Sequence, residues 1–317
     1  MKRIILSAGS FLLILALLLA LLSLAFFPKG NSLEDGIQEP ELYGFLGERS
    51  NSLDVVVLGD SIPLSSMIPP RLWRDFGYTG YVCASTAQKL CQSEKLLNRF
   101  LESQQPQFVL LETDQLYLEM SALDVLQCNM EALFPVLRYH NNWKFVRPAQ
   151  MLRTPDYTCR DPLKGYHLRK TIDALEPEAY MLPTEETEPF SAAAEAGVRR
   201  IKAVCDRAGA RLVLYTAPNA AAWNTPRHNA VQALADSLEV PYLDGNLEVT
   251  NLVWQADTLD QGEHLNLMGA EKVTAWLGTY FSSTGLLEDK RGDPAYASWE
   301  EDLAEFERRV DDPDHYY

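Results

Sequence analysis

Short runs of consecutive apolar residues alternate along this chain with longer segments of helical periodicity. The runs predict strands at residues 55–58, 80–84, 108–111, 211–216 and 240–243. Continuous apolar runs of this length are typical of strands buried on both faces of a parallel sheet. The intervening segments predict helices at residues 71–76, 89–103, 121–139, 192–208, 226–238 and 267–281. This alternation predicts an α/β fold, a three-layer α/β/α sandwich with a mainly parallel five-stranded sheet.

The N-terminus carries the longest apolar segment of the chain. Residues 4–27 contain no charged side chain and follow the basic pair Lys2 and Arg3. About 20 apolar residues suffice to cross a bilayer, whereas a secretory signal has a shorter apolar region and a small-residue cleavage site. We therefore interpret residues 4–27 as an uncleaved transmembrane anchor. The positive-inside tendency places Lys2 and Arg3 in the cytoplasm and the rest of the chain outside the cell membrane.

Composition divides the remainder of the chain into three predicted parts. Residues 28–51 are polar and predict a linker, and residues 52–285 hold the α/β pattern. Within that domain, residues 147–189 show no period and contain six prolines, which predicts an irregular insertion near the site or over it. Residues 286–317 predict an acidic C-terminal tail, in which residues 299–310 form an exposed amphipathic helix.

Charge and cysteine content exclude several classes of partner. The chain has a net charge of −16, so nucleic acid is not an expected partner, because phosphate binding requires a basic face. The five cysteines are scattered without a Cys-x-x-Cys pair, which indicates buried thiols rather than a metal site. No metal and no organic cofactor is predicted.

The tripeptide Gly59-Asp60-Ser61 directly follows the first predicted strand. In open α/β sheets, ligands bind outside the carboxyl ends of the strands, and glycine there permits a sharp turn. Ser61 is therefore placed where a nucleophile would be useful. An ordinary turn is the alternative interpretation.

A histidine and two aspartates near the other end of the chain favour the catalytic interpretation. A serine hydroxyl needs a base to take its proton, and histidine accepts protons near neutral pH. His264 lies just before the last predicted domain helix, and a carboxylate a few residues earlier can orient its ring. Asp260 is the first choice for that carboxylate and Asp257 the alternative, whereas Glu263 is expected to point away.

With these blocks the chain resembles the SGNH (GDSL) hydrolase family over residues 54–283. The resemblance implies a Ser61 nucleophile with His264 and Asp260, and an oxyanion site formed by the backbone N–H groups of Ser61 and Ala84. Two features depart from the family pattern. Gln261 stands where the family has its aspartate. The family's asparagine after the third strand is replaced in residues 112–114, where an ionised Asp114 cannot donate a hydrogen bond.

The anchor makes the chain most similar to the membrane-bound branch of that fold, represented by the D-alanyl-lipoteichoic acid transfer protein and alginate-type O-acetyltransferases. This resemblance implies an extracytoplasmic serine esterase or acyltransferase acting on acyl groups, such as O-acetyl esters, of cell-envelope glycans or polymers. A membrane-bound acyl donor protein is a further implied partner. His140 and Trp223 are expected to line the substrate cleft. The alternative is a catalytically inert, membrane-tethered binding or assembly protein that keeps the fold.

Overall fold

A single parallel sheet of five strands forms the centre of the domain. The computed structural model describes residues 2–144, 153–177 and 180–313. The strands are β1 (Val55–Gly59), β2 (Gly80–Ala84), β3 (Phe108–Glu112), β4 (Arg211–Thr216) and β5 (Tyr242–Asp244), in the spatial order β2-β1-β3-β4-β5. Every neighbouring pair is parallel, and Val57 lies opposite both Val82 and Leu110. The predicted α/β class and five-stranded sheet are confirmed, with β1 between β2 and β3.

Helices fill the connections between the strands. They are α1 (Lys2–Phe26), α2 (Pro69–Phe76), α3 (Leu90–Phe100), α4 (Ala122–Leu133), α5 (Val136–Tyr139), α6 (Ala192–Ala208), α7 (Thr225–Leu238), α8 (Gly245–Glu248), α9 (Leu267–Thr284) and α10 (Ala297–Asp311). The prediction of one helix over residues 121–139 is wrong. The chain breaks between α4 and α5 at Pro135, because proline has no N–H to donate and its ring clashes with the preceding turn.

Alternating strand side chains build two hydrophobic cores, one on each face of the sheet. Val56 and Leu58 face the core completed by α3, α6 and α7. Val55 and Val57 face the opposite core, completed by α2 and α9. Successive strand residues point to opposite faces, so a continuous apolar run supplies both cores at once. The result is the predicted three-layer sandwich.

The predicted linker at residues 28–51 packs onto the domain. Leu42 and Phe45 are buried in the core on the α3 face, and the Tyr81 hydroxyl donates to the Glu41 carbonyl oxygen at 2.6 Å. The prediction of a simple linker is therefore wrong. Its few apolar residues are spaced irregularly among polar ones, and they find their partners only in the folded domain.

The C-terminal helix α10 also packs onto the domain, against α2. Trp299 and Phe306 are buried, so the predicted exposure of this helix is wrong. Beneath it, the fully buried Lys164 donates to Glu48 at 2.6 Å and to Asp302 at 2.5 Å. A buried ammonium must be paired with charge to be stable, and this one joins three segments that are distant in sequence.

The predicted insertion and tail are described only in part. Residues 153–177 and 180–189 contain no helix or strand. Residues 147–152 and 178–179 of the insertion, and residues 314–317 of the tail, lie outside the described residues.

Helix α1 stands out from the domain with its apolar side chains exposed. Within the described chain it is the one helix long and apolar enough to cross a membrane, over Leu6–Phe26 with a mean hydropathy of 2.6. Its last turns contact the domain: the Val136 N–H donates to the Ser23 hydroxyl at 3.1 Å, and the Asn142 amide donates to the Phe26 carbonyl at 3.3 Å. The segment is consistent with a single-pass anchor or a signal sequence.

Candidate active site

Ser61 lies in a tight turn at the carboxyl end of β1. The Asp60 carboxylate accepts a hydrogen bond from the Ile62 N–H at 3.0 Å, which fixes the turn around the serine. Gly59 is required here, since a Cβ at this position would lie 2.3 Å from Pro63 and 2.9 Å from Glu112 of β3. The turn leaves the Ser61 side chain half-buried and reachable from solvent.

The loop before α9 folds back on itself and carries the histidine. Thr258 and Leu265 form an antiparallel bridge, and the Leu259 N–H donates to the His264 carbonyl at 2.9 Å. At the tip, Gln261 and Gly262 have φ angles of 57° and 92°, both in the left-handed region. Two left-handed residues in succession reverse the chain sharply. They accommodate the additional residue between aspartate and histidine that separates this chain from the family pattern.

Ser61, His264 and Asp260 form a continuous hydrogen-bonded chain. Nε2 of His264 lies 2.9 Å from Oγ of Ser61, and Nδ1 lies 2.7 Å from an Asp260 carboxylate oxygen. The other Asp260 oxygen accepts from the His264 backbone N–H at 2.7 Å, so both oxygens hold the same residue. A proton on Nδ1 donates to Asp260 and leaves Nε2 free to accept the serine proton. This is the arrangement that activates a serine nucleophile.

Asp257, the alternative carboxylate, is fully buried elsewhere in the loop. Its carboxylate accepts from the Lys272 ammonium at 2.5 Å and from the Val253 N–H at 2.6 Å. The structure therefore gives Asp257 a role in holding the loop onto α9, and pairs Asp260 with His264.

Glu263 was expected to point away from the site, and this is wrong. One ligand atom from each of Asp260, Glu263 and His264 lies within 4.8 Å of the other two. Both ring nitrogens of His264 are already hydrogen-bonded, so the cluster offers no free imidazole ligand for a metal. What Glu263 adds is a negative charge beside the triad.

Three carboxyl groups lie around the base of the nucleophile turn. Burial raises the pKa of Asp60 from 3.8 to about 6, and the neighbouring Asp114 charge adds to the rise. Burial, followed by repulsion from Asp60 and Asp114, raises the pKa of Glu112 well above its ordinary value. Glu112 is fully buried, and within the described chain one of its side-chain oxygens has no hydrogen-bond partner. Such a group is stable as the neutral acid.

Asp114 follows β3, at the position where the resembled family has an asparagine. Burial raises the pKa of Asp114, whereas the positive charge of Arg227 lowers it by a smaller amount. The nearest guanidinium nitrogen of Arg227 lies 3.6 Å from the carboxylate. The Glu263 charge raises that pKa further. Arg227 was not predicted as a site residue. Its place in the first turn of α7, soon after the carboxyl end of β4, is the feature of the sequence that pointed toward the site. A raised pKa lets Asp114 carry a proton and act as a donor.

The backbone donors near Ser61 are only partly those predicted. No hydrogen bond to the Ser61 N–H is present in the described part of the chain. The Val82 N–H donates outward from the sheet edge to the Lys164 carbonyl at 2.9 Å. Successive strand N–H groups point to opposite edges, so the Ala84 N–H also points outward, away from β1. The oxyanion role predicted for Ala84 is therefore not supported by its orientation.

The turn that follows β2 contains an unusual backbone conformation. Ala87 has a φ angle of 54°, in the left-handed region that favours glycine, and its N–H has no partner among the residues described. Strained backbone with free donors is common where a protein binds a ligand.

The two predicted cleft residues lie elsewhere. Trp223 is only 3% exposed; its indole N–H donates to Asp244 at 3.3 Å and its ring packs edge-on against Tyr117. The prediction that it stacks on a substrate is wrong, because a buried indole offers no open face. His140 is exposed, its Nδ1 lies 3.0 Å from the Leu137 carbonyl oxygen, and its segment packs against α1. The structure does not bring His140 to the triad.

The comparison with known proteins finds similarity in fold alone. No family model and no curated protein matches the sequence. Among solved structures, a proposed acylhydrolase from Bacteroides fragilis is 13% identical, with 78% of this chain and 96% of that chain covered and a TM-score of 0.41. A GDSL-like lipase from Bacteroides thetaiotaomicron is 11% identical, with 74% and 89% covered and a TM-score of 0.37. A lipase/acylhydrolase from Enterococcus faecalis is 12% identical, with 73% and 97% covered and a TM-score of 0.32. At these identities, the chemistry has to be inferred from the side chains described above.

Proposed function

We propose that this protein is a serine esterase or acyltransferase that uses Ser61, His264 and Asp260. The observation that carries the proposal is the pair of short contacts on the imidazole, 2.9 Å to Ser61 and 2.7 Å to Asp260. Each lies within the distance over which a proton can be transferred or a ring oriented. The serine stands at the carboxyl end of a central strand, the position at which open α/β sheets bind their ligands.

In the proposed reaction His264 takes the proton of Ser61 as the serine oxygen attacks an acyl carbonyl carbon. The resulting imidazolium is stabilised by Asp260, and it returns the proton to the leaving alkoxide as the ester C–O bond breaks. The acyl group stays on Ser61 as an ester. Water or a polymer hydroxyl then attacks that ester, with His264 again acting first as base and then as acid. Hydrolysis and transfer share every step up to the acyl-enzyme.

The oxyanion of the tetrahedral intermediate needs donors that are in place before the reaction. We assign the Ser61 N–H as one donor, because it belongs to the nucleophile itself and has no hydrogen-bond partner among the residues that the structure describes. As a second donor, in place of Ala84, we propose the N–H of Ala87 in the turn that follows β2, which has no partner within the described residues. As a third donor we propose Asp114 when it is protonated, because its buried Oδ1 has no hydrogen-bond partner within the described residues and burial raises its pKa.

We further propose that the domain is held outside the cell membrane by α1 and acts on acyl groups of cell-envelope glycans or polymers. The contacts of Ser23 and Phe26 with the domain support a retained anchor, since a cleaved signal would take these partners away. The substrate class and a membrane-bound acyl donor protein are carried over from the resemblance of the sequence to anchored acyltransferases.

The test is ester turnover by the full-length protein in mild detergent. We expect hydrolysis of p-nitrophenyl acetate by the wild type, and its loss in Ser61→Ala and in His264→Ala. Ser283→Ala, an exposed serine of α9, and His140→Ala are the matched controls and should keep the wild-type rate. Equal rates in wild type and Ser61→Ala would refute the proposal and favour the inert binding protein.

A further inference from the structure

An exposed apolar stripe runs along the outer side of α4 and continues into α5. Its members in α4 are spaced three or four residues apart, so they share one face of that helix, and one further leucine follows in α5. Leu123 is 74% exposed, Leu126 56%, Leu133 66% and Leu137 38%, with Met130 between them. Leucines left in water at these fractions on one face indicate a surface that another apolar phase covers.

The outer face of α4 is free of charge. Asp124 lies to one side, paired with Lys89 at 2.8 Å, and Glu131 accepts from the Gln127 amide at 2.7 Å. On the opposite side Cys128 is buried in the core that includes α3. The helix is thus amphipathic, with an inner face that packs on the domain and an outer face that has no partner in the described chain.

The Leu137 end of the stripe lies beside the C-terminal end of the apolar helix α1. The apolar span of α1 has 21 residues, or about 31 Å, which matches the thickness of the hydrocarbon core of a bilayer. At its last turn, Ser23 accepts from the Val136 N–H of α5 and Phe26 from the Asn142 amide just after α5. The Phe27 ring packs edge-on against Tyr139 at 5.8 Å. When α1 spans a membrane, α5 therefore lies at the outer surface of that membrane.

Cationic and aromatic side chains cluster at the same end of the stripe. Trp143 is 64% exposed, and the Lys144 ammonium lies 5.9 Å from the centre of its ring. The Arg138 guanidinium lies 6.0 Å from the centre of the Tyr139 ring, and no ion pair of Lys144 is present within the described residues. Tryptophan and unpaired cations are the side chains that favour the lipid headgroup region.

We propose that the stripe of Leu123, Leu126, Met130, Leu133 and Leu137 lies in the outer leaflet as a second membrane contact. The anchor fixes one end of the stripe at the bilayer surface, and the cations fit the headgroup phosphates at that level. The uncharged face between Leu123 and Leu133 extends the contact about 15 Å along the helix. Two contacts would hold the domain in one orientation, whereas α1 alone would allow it to swivel.

The test uses the full-length protein in vesicles of phosphatidylcholine and phosphatidylglycerol, with bromine on the acyl chains of half of the lipid. Brominated chains quench tryptophans that touch the hydrocarbon. In a Trp143→Phe background, Leu123→Trp reports on the end of the stripe far from the anchor. Leu247→Trp, at an exposed leucine of α8, is the matched control.

We expect Leu123→Trp to lose as large a fraction of its fluorescence as Trp143 does in the wild type, and Leu247→Trp to lose none. Adding Leu126→Glu and Leu133→Glu should abolish the loss at position 123 with the circular dichroism unchanged. Quenching at Trp143 but not at position 123, with the reporter open to aqueous iodide, would overturn the proposal. A reporter shielded from both quenchers would also overturn it, because a protein partner or a second copy would then cover the stripe.

Discussion

Replacing Asp60 by asparagine should stabilise the protein at alkaline pH much more than in acid. Asp60 is 5% exposed, and burial raises its pKa from 3.8 to about 6. Well below pH 3.8 the group is protonated in both folded and unfolded chains and contributes nothing to the pH dependence. As the pH rises from 3.8 to 6, the unfolded chain loses this proton first, so the free energy of unfolding falls.

The size of the effect follows from that shift. A shift from 3.8 to about 6 corresponds to about 3 kcal/mol above pH 6. At pH 5 the same linkage lowers the free energy of unfolding by about 1.6 kcal/mol. Between pH 5 and pH 8 the free energy of unfolding of the wild type should therefore fall by about 1.4 kcal/mol more than that of Asp60→Asn. Asparagine keeps an oxygen that accepts from the Ile62 N–H, so the turn itself is preserved.

Urea unfolding of both proteins in mild detergent, followed by tryptophan fluorescence at pH 5 and pH 8, measures this difference. Asp75→Asn, in an exposed pair with Arg74, is the matched control and should change the free energy of unfolding by less than about 0.5 kcal/mol at either pH. An equal effect of Asp60→Asn at both pH values would refute the argument that Asp60 is buried as an unstable carboxylate.

Three further substitutions test the site and the fold. Asp260→Asn should lower kcat for ester hydrolysis by up to about 10⁴-fold, because the imidazole loses its orienting carboxylate, whereas an unchanged kcat would remove Asp260 from the triad. Wild-type kcat/KM should fall as the pH rises through the raised pKa of Asp114, because the ionised carboxylate cannot donate. The amide of Asp114→Asn donates at every pH, so this variant should be up to about 10²-fold faster than the wild type in alkali. Superimposable pH profiles of the two proteins would contradict the role of Asp114 as a donor. Lys164→Met should lower the free energy of unfolding by about 3–5 kcal/mol in urea titrations, because it leaves buried carboxylates without their cation. Lys202→Met removes a surface pair and should lower it by less than about 1 kcal/mol. Equal losses in the two variants would contradict the account of a buried ion pair.

The sheet could be predicted because its signal is local. Each strand is a short apolar run bounded by polar residues, and the two residue sets of β1 face two cores. The placement of Ser61 and His264 followed from strand and helix ends in the same way. The break at Pro135 was also visible in the sequence and was outweighed by the helical period on both sides.

The choice of Asp260 depends on a feature that local preferences do not encode. Gln261 adopts a left-handed φ of 57°, which glutamine seldom does, and this turn brings Asp260 back to His264. The sequence favoured Asp260 over Asp257 only because Asp260 is nearer to His264 along the chain. Only the folded loop assigns one to Lys272 and the other to the imidazole.

The wrong predictions concern residues whose partners lie far away in sequence. Trp223 follows a strand end and could have faced a cleft, but Asp244 at the end of β5 accepts its indole proton inside the core. The C-terminal helix was predicted as exposed because charges dominate its composition. Its large apolar residues, Trp299 and Phe306, are seven positions apart and face a surface that forms only when α2 is in place.

Covalent labelling of the full-length protein with a fluorophosphonate, followed by intact mass, tests the central claim most directly. The account predicts one adduct on the wild type, located on Ser61, absent from Ser61→Ala and formed far more slowly in His264→Ala, because the reagent reacts with serines that a neighbouring base has activated. The same yield of adduct from Ser61→Ala, or no adduct on folded wild type, would contradict the claim that the contact of 2.9 Å between Ser61 and His264 activates a nucleophile.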